Sequence, residues 1–412
     1  MKTKLLKLAL CAFVSALPLG AWADEVTVAD SQPTTWTFNS LTASTVYNSV
    51  TNVGDYYLRA WVEAGDDNPN RTFTVKSCDD TVLTFADGTE VTVNKYLEAN
   101  GVLNTSKGTA PTTGSTAGMN SKVGLPSFAF NTTVPGTCYV KIKKEGTIAE
   151  TCRHRIVFAT ASSSTTQSSA SAPDGTIEEL SYEVNKAGSF FIYDVSGSGK
   201  FSIYAVRFVP KYQEVTIGST GYATIGNTTG QHLAKPEGVS VYSARATSST
   251  TVTLTSVTAV RAGEGYVVKG TPGTYKFYAT ATDPGASQKG GEMVRVKDAI
   301  VNFPASVDET EDEVTTTYYQ YILAADGGTA KFFAPDGTST LAAGKAYLKT
   351  TTSLSSGGAR GFDIVIEGET TAINSVATKP INDGKYYNLQ GIEVAQPTKG
   401  LYIVNGKKVI IK

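Results

Sequence analysis

From residue 24 onward, apolar side chains come in short runs that alternate with polar ones, and Gly, Asp and Asn break the runs apart. In Thr251–Val257, Val252 and Leu254 share one face and the threonines the other, the two-residue period of a half-buried strand. In Tyr56–Ala64 the same period separates Tyr56, Leu58, Ala60, Val62 and Ala64 from Tyr57, Arg59, Trp61 and Glu63. Leu401–Val404 and Lys408–Ile411 flank Asn405-Gly406, a pair that tolerates the positive φ angles of a two-residue hairpin turn. Further Asp-Gly pairs stand at Asp87, Asp174, Asp326, Asp336 and Asp383. No window of 12 or more residues holds a helical period. The pattern predicts an all-β chain of many short strands, arranged as sandwiches or barrels.

The first 23 residues follow a different rule. Lys2, Lys4 and Lys7 precede an apolar stretch from Leu5 to Leu19, and Ala21-Trp22-Ala23 follows with small residues at the two positions signal peptidase reads. This predicts an export signal cleaved near Ala23, with the mature chain starting at Asp24 and working outside the cell or on its outer surface. The apolar stretch falls short of the roughly 20 residues a membrane-spanning helix needs, and no later stretch is long enough. No membrane span is expected.

The rest divides in three. Residues 24–210 read as a β-sandwich that opens with a strand at Thr35–Phe38. It closes with a hairpin of Ser189–Tyr193 and Lys200–Phe208. The polar stretches 104–122 and 161–175 lack apolar residues for a core and read as loops. Residues 211–371 read as a second β-sandwich. Residues 372–412 form a small C-terminal β segment, near the size at which a core barely sustains itself.

Charge and cysteine content narrow the function classes. Once Lys2, Lys4 and Lys7 are removed, 33 basic residues face 37 acidic ones, a net charge of about −4. Basic residues are neither in excess nor clustered, which excludes a nucleic-acid footprint. Three cysteines follow the signal: Cys78, Cys138 and Cys152. Either Cys138 and Cys152 bridge neighbouring strands around the Glu145-Gly146 turn, or all three are small buried thiols. No spacing fits a zinc site, and no metal or cofactor is expected.

Three stretches carry resemblances. Tyr386–Gly391 and Pro397–Lys412, with the core Gly400-Leu401-Tyr402-Ile403-Val404 and Gly406-Lys407-Lys408-Val409, resemble the C-terminal sorting segment of type IX secretion cargo in Bacteroidetes. That resemblance implies the secretion machinery as a partner and covers about a tenth of the chain. Val215–Thr224, Gly265–Gly270 and Ala342–Leu348 are similar to a β-rich module found before that tail in Bacteroidetes surface proteins, which implies no catalysis. Residues 24–210, through their opening and closing strands, resemble the jelly-roll modules that accompany polysaccharide lyases and other glycan-active enzymes.

Catalytic chemistry finds little support. His154 falls in a strand-like run and His232 in a turn-rich stretch, and no Gly-x-Ser-x-Gly elbow accompanies either. Gly197-Ser198-Gly199-Lys200 has neither the spacing nor the following helix of a phosphate loop, and reads as a hairpin turn. Carboxylate pairs that a glycosidase would hold about 5–9 Å apart occur at Asp66-Asp67, Asp79-Asp80, Glu178-Glu179 and Asp308–Glu313. All read as polar loops whose acids are solvated. Asp66-Asp67-Asn68 also has the oxygen-rich character of a calcium loop.

The sharpest constellation is the polar face of Tyr56–Ala64. A flat aromatic, Trp61, stands there with Tyr57, Arg59 and Glu63, so an indole can stack on a sugar ring while the others bond its hydroxyls. The alternative is a loop that covers Trp61. The chain thus reads as an exported, non-catalytic surface protein with two β-sandwich domains (jelly-roll or Ig-like) and a glycan ligand. A structural or adhesive protein with a protein or envelope partner, and an unusual glycan-active enzyme, are the competing readings.

Overall fold

The computed structural model describes residues 31–49, 51–59, 72–100, 126–145, 153–159, 164–168, 175–195, 200–354, 361–369, 385–388, 392–404 and 407–411. The chain is all-β: among these residues the only helix is one turn of 3₁₀ at Ala286–Gln288. None is long and apolar enough to cross a membrane. Packing forms two compact units, residues 1–364 and 365–412.

Two antiparallel sheets build the part before residue 211. One runs in the order Ile177–Val184, Gly136–Glu145, Lys200–Pro210, Glu90–Asn100, Thr72–Thr84 and Val46–Tyr47, with Thr34–Thr37 also paired to Lys200–Pro210. The other runs Ser164–Ser168, Arg153–Ala159, Gly188–Val195, Ser127–Thr132, Tyr56–Arg59 and Thr51–Val53. After Asn100 most successive strands cross between the sheets, as in a jelly roll. The inward residues of both form one core rich in aromatic rings, among them Trp36, Phe73, Phe128, Phe130, Phe190 and Phe208.

That crossing corrects two readings. Gly188–Val195 pairs with Ser127–Thr132 and Arg153–Ala159, whereas Lys200–Pro210 pairs with strands of the opposite sheet, so the two do not form a hairpin. Each has its own buried row, Phe190 with Ile192 and Phe201 with Ile203, so each needs the other sheet opposite it. Gly197-Ser198-Gly199 lies outside the described residues. Gly136–Glu145 and Arg153–Ala159 also lie in different sheets and are not neighbours. Cys138 is a free thiol, fully buried in the core, and burial pushes its pKa far up. Cys152 lies outside the described residues, as do the signal segment and Asp66-Asp67-Asn68.

The next part holds a four-stranded sheet in the order Tyr212–Ile217, Gly273–Thr280, His232–Ala234 and Ala259–Val260, and a ten-stranded sheet whose members lie between Tyr222 and Ile366. Its core is largely aliphatic, with Val215, Ile225, Leu233, Val241, Val257 and Val268 around Tyr266 and Phe277. In Thr251–Val257, Val252 and Leu254 are fully buried, as the alternation predicts. In the second unit, Gly400–Val404 and Lys407–Ile411 pair antiparallel with Val404 opposite Lys407; Asn405-Gly406 lies outside the described residues. Tyr386–Tyr387 adds a third strand, and the Tyr386 ring stands edge-on to Tyr402.

Candidate functional site

The seven-stranded sheet has an outer face of a different character from its core face. In Lys200–Pro210 the register shifts between Ile203 and Ala205, and beyond that bulge Val206 and Phe208 point into the core. Arg207, between them, points out. Tyr139 lies directly opposite Arg207 on one neighbouring strand and Thr35 on the other. A row of polar and aromatic groups thus crosses three strands.

A second bulge brings an acid to this row. In the hairpin Thr72–Thr84 with Glu90–Asn100, the register slips between Ser77 and Thr81. Phe73 and Val75, before the slip, belong to the main core, while Leu83 and Phe85, after it, pack into a separate cluster with Val93, Tyr204 and Tyr139. The turn after Phe85 holds Gly88 at φ 84°, a conformation that favours glycine. It points the Asp87 carboxylate at Arg207: Arg207 donates from Nε to Asp87 at 2.7 Å and from Nη1 to the Thr35 hydroxyl at 2.6 Å. The Thr89 amide donates to the other Asp87 oxygen at 3.0 Å. Burial pushes the Asp87 carboxyl up, but Arg207 and Thr89 together hold it below its ordinary range.

The opposite wall comes from residues after 210. Lys211 donates its amide to the Pro135 carbonyl and accepts from the Ala279 amide, and Ala279 packs into the first core. These contacts fix the pair Tyr212 and Tyr278, opposite each other on adjacent strands with rings edge-on at 5.5 Å. Lys276 lies 4.6 Å from the Tyr212 ring centroid, a cation–π contact. The result is a cleft of about 480 Å³ lined by Asp87, Thr137, Tyr139, Glu183, Arg207, Lys211, Tyr212, Lys276 and Tyr278. Gly136 lies in its floor, where a Cβ would strike the Val209 carbonyl and the Phe208 ring. Tyr139 and Tyr278 both have raised pKa values: burial is the main cause for each, and the nearby Asp87 adds to it. Both therefore keep their phenolic protons near neutral pH and offer them as hydrogen-bond donors.

Of the residues the alternation points to, Tyr57 and Arg59 lie elsewhere. Tyr57 and Arg59 belong to the strand Tyr56–Arg59 in the six-stranded sheet, paired with Ser127–Thr132. Trp61 and Glu63 lie outside the described residues. Tyr56 and Leu58 are buried, as the alternation predicts. Asp79-Asp80 and Glu178-Glu179 are on strands rather than in loops. Asp79-Asp80 falls at the irregularity in Thr72–Thr84, and Asp308–Glu313 spans the hairpin of Ser306–Glu311 with Val314–Asp326. Glu178 and Glu179 are consecutive on Ile177–Val184, so they point to opposite faces. Glu179 is held by Lys141 at 2.9 Å and by the Ala86 amide. His232 begins the short strand His232–Ala234, accepts from the Ala262 amide at Nδ1, and has Nε2 3.8 Å from Asp283. His154 lies in Arg153–Ala159. Among the described residues no group of three or more His, Cys, Asp or Glu side chains is placed to hold a metal ion.

No local sequence pattern announces the cleft, because its members come from five separate strands and one turn. One signal is present in the sequence: Glu214 and Thr216 alternate with Val215 and Ile217, and Thr274, Lys276 and Tyr278 alternate with Tyr275 and Phe277. Compared with known proteins, the chain matches no protein-family model, and no curated protein matches it significantly in sequence.

Proposed function

We propose that this chain is an exported, non-catalytic surface protein that binds a glycan in the cleft between Tyr139 and Tyr212. The observation that carries the reading is the combination in one hollow of tyrosine rings with a rigid Arg207–Asp87 pair. Sugar rings have apolar faces that stack on flat aromatics, and hydroxyls that need both donors and acceptors. Tyr139, Tyr278 and Lys276 supply donors, and Asp87 and Glu183 supply acceptors. Aromatic side chains with preset orientations lose little freedom on binding. The non-catalytic reading draws on the same geometry. Asp87 is already engaged by Arg207 and Thr89.

A glycan array on the mature chain, followed by titration of Tyr212→Ala, tests this. Tyr212 is 38% exposed, so its removal should leave melting intact while weakening binding about thirtyfold, roughly 2 kcal/mol at a hot spot. Unchanged affinity in the variant rejects the cleft. Export is part of the proposal and rests on the lysine-rich start and Ala21-Trp22-Ala23. N-terminal sequencing of extracellular protein should begin at Asp24. Delivery to the surface is assigned to the tail, and a chain lacking residues 373–412 should accumulate in the periplasm.

A further inference from the structure

The strand that begins at Tyr212 runs on past the tyrosine cleft. A hollow of about 260 Å³ follows it along the same strand, lined by Gln213, Glu214, Thr228 and Lys345. A third, of about 370 Å³, is lined by Thr216, Thr220, Tyr222 and Lys345. The last two share Thr224 and Lys345 and so form one trough. On the outward face Tyr212, Glu214 and Thr216 follow one another along Tyr212–Ile217, and at a strand's rise of roughly 3.3 Å per residue, Tyr212 to Thr216 covers about 13 Å. That is longer than one pyranose ring.

Its chemistry repeats along its length. Tyr212 and Tyr278 mark one end and Tyr222 the other. Between them the outward row of the strand pair presents Glu214 beside Lys276 at 3.9 Å and the Thr216 and Thr274 hydroxyls 3.0 Å apart. The wall is fixed before any ligand arrives. Gln213 donates to the carbonyls of Gly226 at 3.0 Å and Gly344 at 3.2 Å, and the Gly226 amide donates to Gly344 at 2.8 Å. Charge is nearly balanced, with Arg207, Lys211, Lys276 and Lys345 against Asp87, Glu183 and Glu214. No strong field selects a polyanion.

Resting on the glycan reading of the cleft, we infer that the ligand is an extended, linear oligosaccharide without charged sugars, laid along Tyr212–Ile217 from Tyr212 to Tyr222. The test is calorimetric titration of the full chain with linear gluco-, manno- and xylo-oligosaccharides, from disaccharide to hexasaccharide. In the series that binds, affinity should rise about tenfold or more with length. Tyr222→Ala should bring the hexasaccharide down to the disaccharide's affinity. Thr216→Arg, at an exposed position that fills the third hollow, should do the same if Tyr222→Ala disturbs folding. Tyr212→Ala should weaken every length. Binding that Tyr212→Ala weakens but that does not depend on length overturns the extended ligand and leaves the cleft in place. No binding in any series, or binding that Tyr212→Ala leaves intact, overturns both.

Discussion

Along Lys200–Pro210, neighbouring residues serve two unlike surfaces. Val206 and Phe208 close a core in which rings touch rings, Phe208 lying 5.7 Å from Phe130 and 6.0 Å from Phe190. Arg207 stands between them in sequence and faces away, held by Asp87 and Thr35. The inner face is specified by composition and period, because any apolar side chain of suitable size at every second position contributes to it. The outer face is specified by geometry. It needs two bulges, one turn and a neighbouring sheet to bring particular groups together.

The difference can be broken at its strongest point first. Phe208→Ala should cost about 3–5 kcal/mol, the loss usual for a buried aromatic that leaves a cavity. Denaturant unfolding should show a lower midpoint with an unchanged slope. A loss below about 1 kcal/mol would mean that the inner face does not carry the stability of this sandwich.

The outer face should respond less, and with a pH signature the inner face lacks. Asp87→Asn leaves the Arg207 guanidinium, only 11% exposed, without its charged partner, and should cost about 1–3 kcal/mol near neutral pH. Asp87 titrates below its ordinary value of 3.8 in the folded chain. A depressed carboxyl stabilises the fold fully above its unfolded pKa, and loses that contribution as pH falls through the folded one. The stability gap between wild type and Asp87→Asn should therefore be constant at neutral pH and close progressively below pH 3.8. Phe208→Ala should show no such closure. A gap independent of pH would reject the ion pair as the outer face's anchor.

How much of this was legible in the sequence follows from the same contrast. Alternation places Tyr56 and Leu58, and Val252 and Leu254, on buried faces, where the structure has them. Alternation says which side of a strand is buried but not which strand lies alongside. Ser189–Tyr193 and Lys200–Phe208 therefore read as a hairpin although they belong to opposite sheets. The Arg207–Asp87 pair joins residues 120 positions apart. It depends on the slip at Ser77–Thr81, where Cys78-Asp79-Asp80 breaks no local rule strongly enough to announce a bulge. Tyr212 and Tyr278 reach the cleft only because Lys211 and Ala279 bond across the junction.

A smaller effect separates the wall from the anchor. Tyr212→Ala should change stability by no more than about 0.5 kcal/mol, as expected of an exposed side chain, even while it weakens binding. Thermal melting of the variant gives the answer directly, and a fall of several degrees would make Tyr212 a packing residue of the junction.

The smallest effect expected is the one that decides between the two sugar platforms. Period-two alternation put Tyr57, Arg59, Trp61 and Glu63 on one face of a strand, and the backbone at Tyr57 and Arg59 belongs to the six-stranded sheet. The cleft lies on the outer side of the seven-stranded sheet, with the aromatic core between them. If the cleft binds the glycan, the affinity of Trp61→Ala should stay within about twofold, a few tenths of a kcal/mol. If the Trp61 face binds it, the same change removes the stacking surface and costs about 2 kcal/mol or more. Titrating Trp61→Ala and Tyr212→Ala with the same glycan reverses the ranking of the two variants between these cases. Loss of binding in Trp61→Ala at an unchanged melting temperature would move the site to Tyr57, Arg59, Trp61 and Glu63. It would leave the Arg207–Asp87 pair with the structural task of holding the hairpin to the sheet.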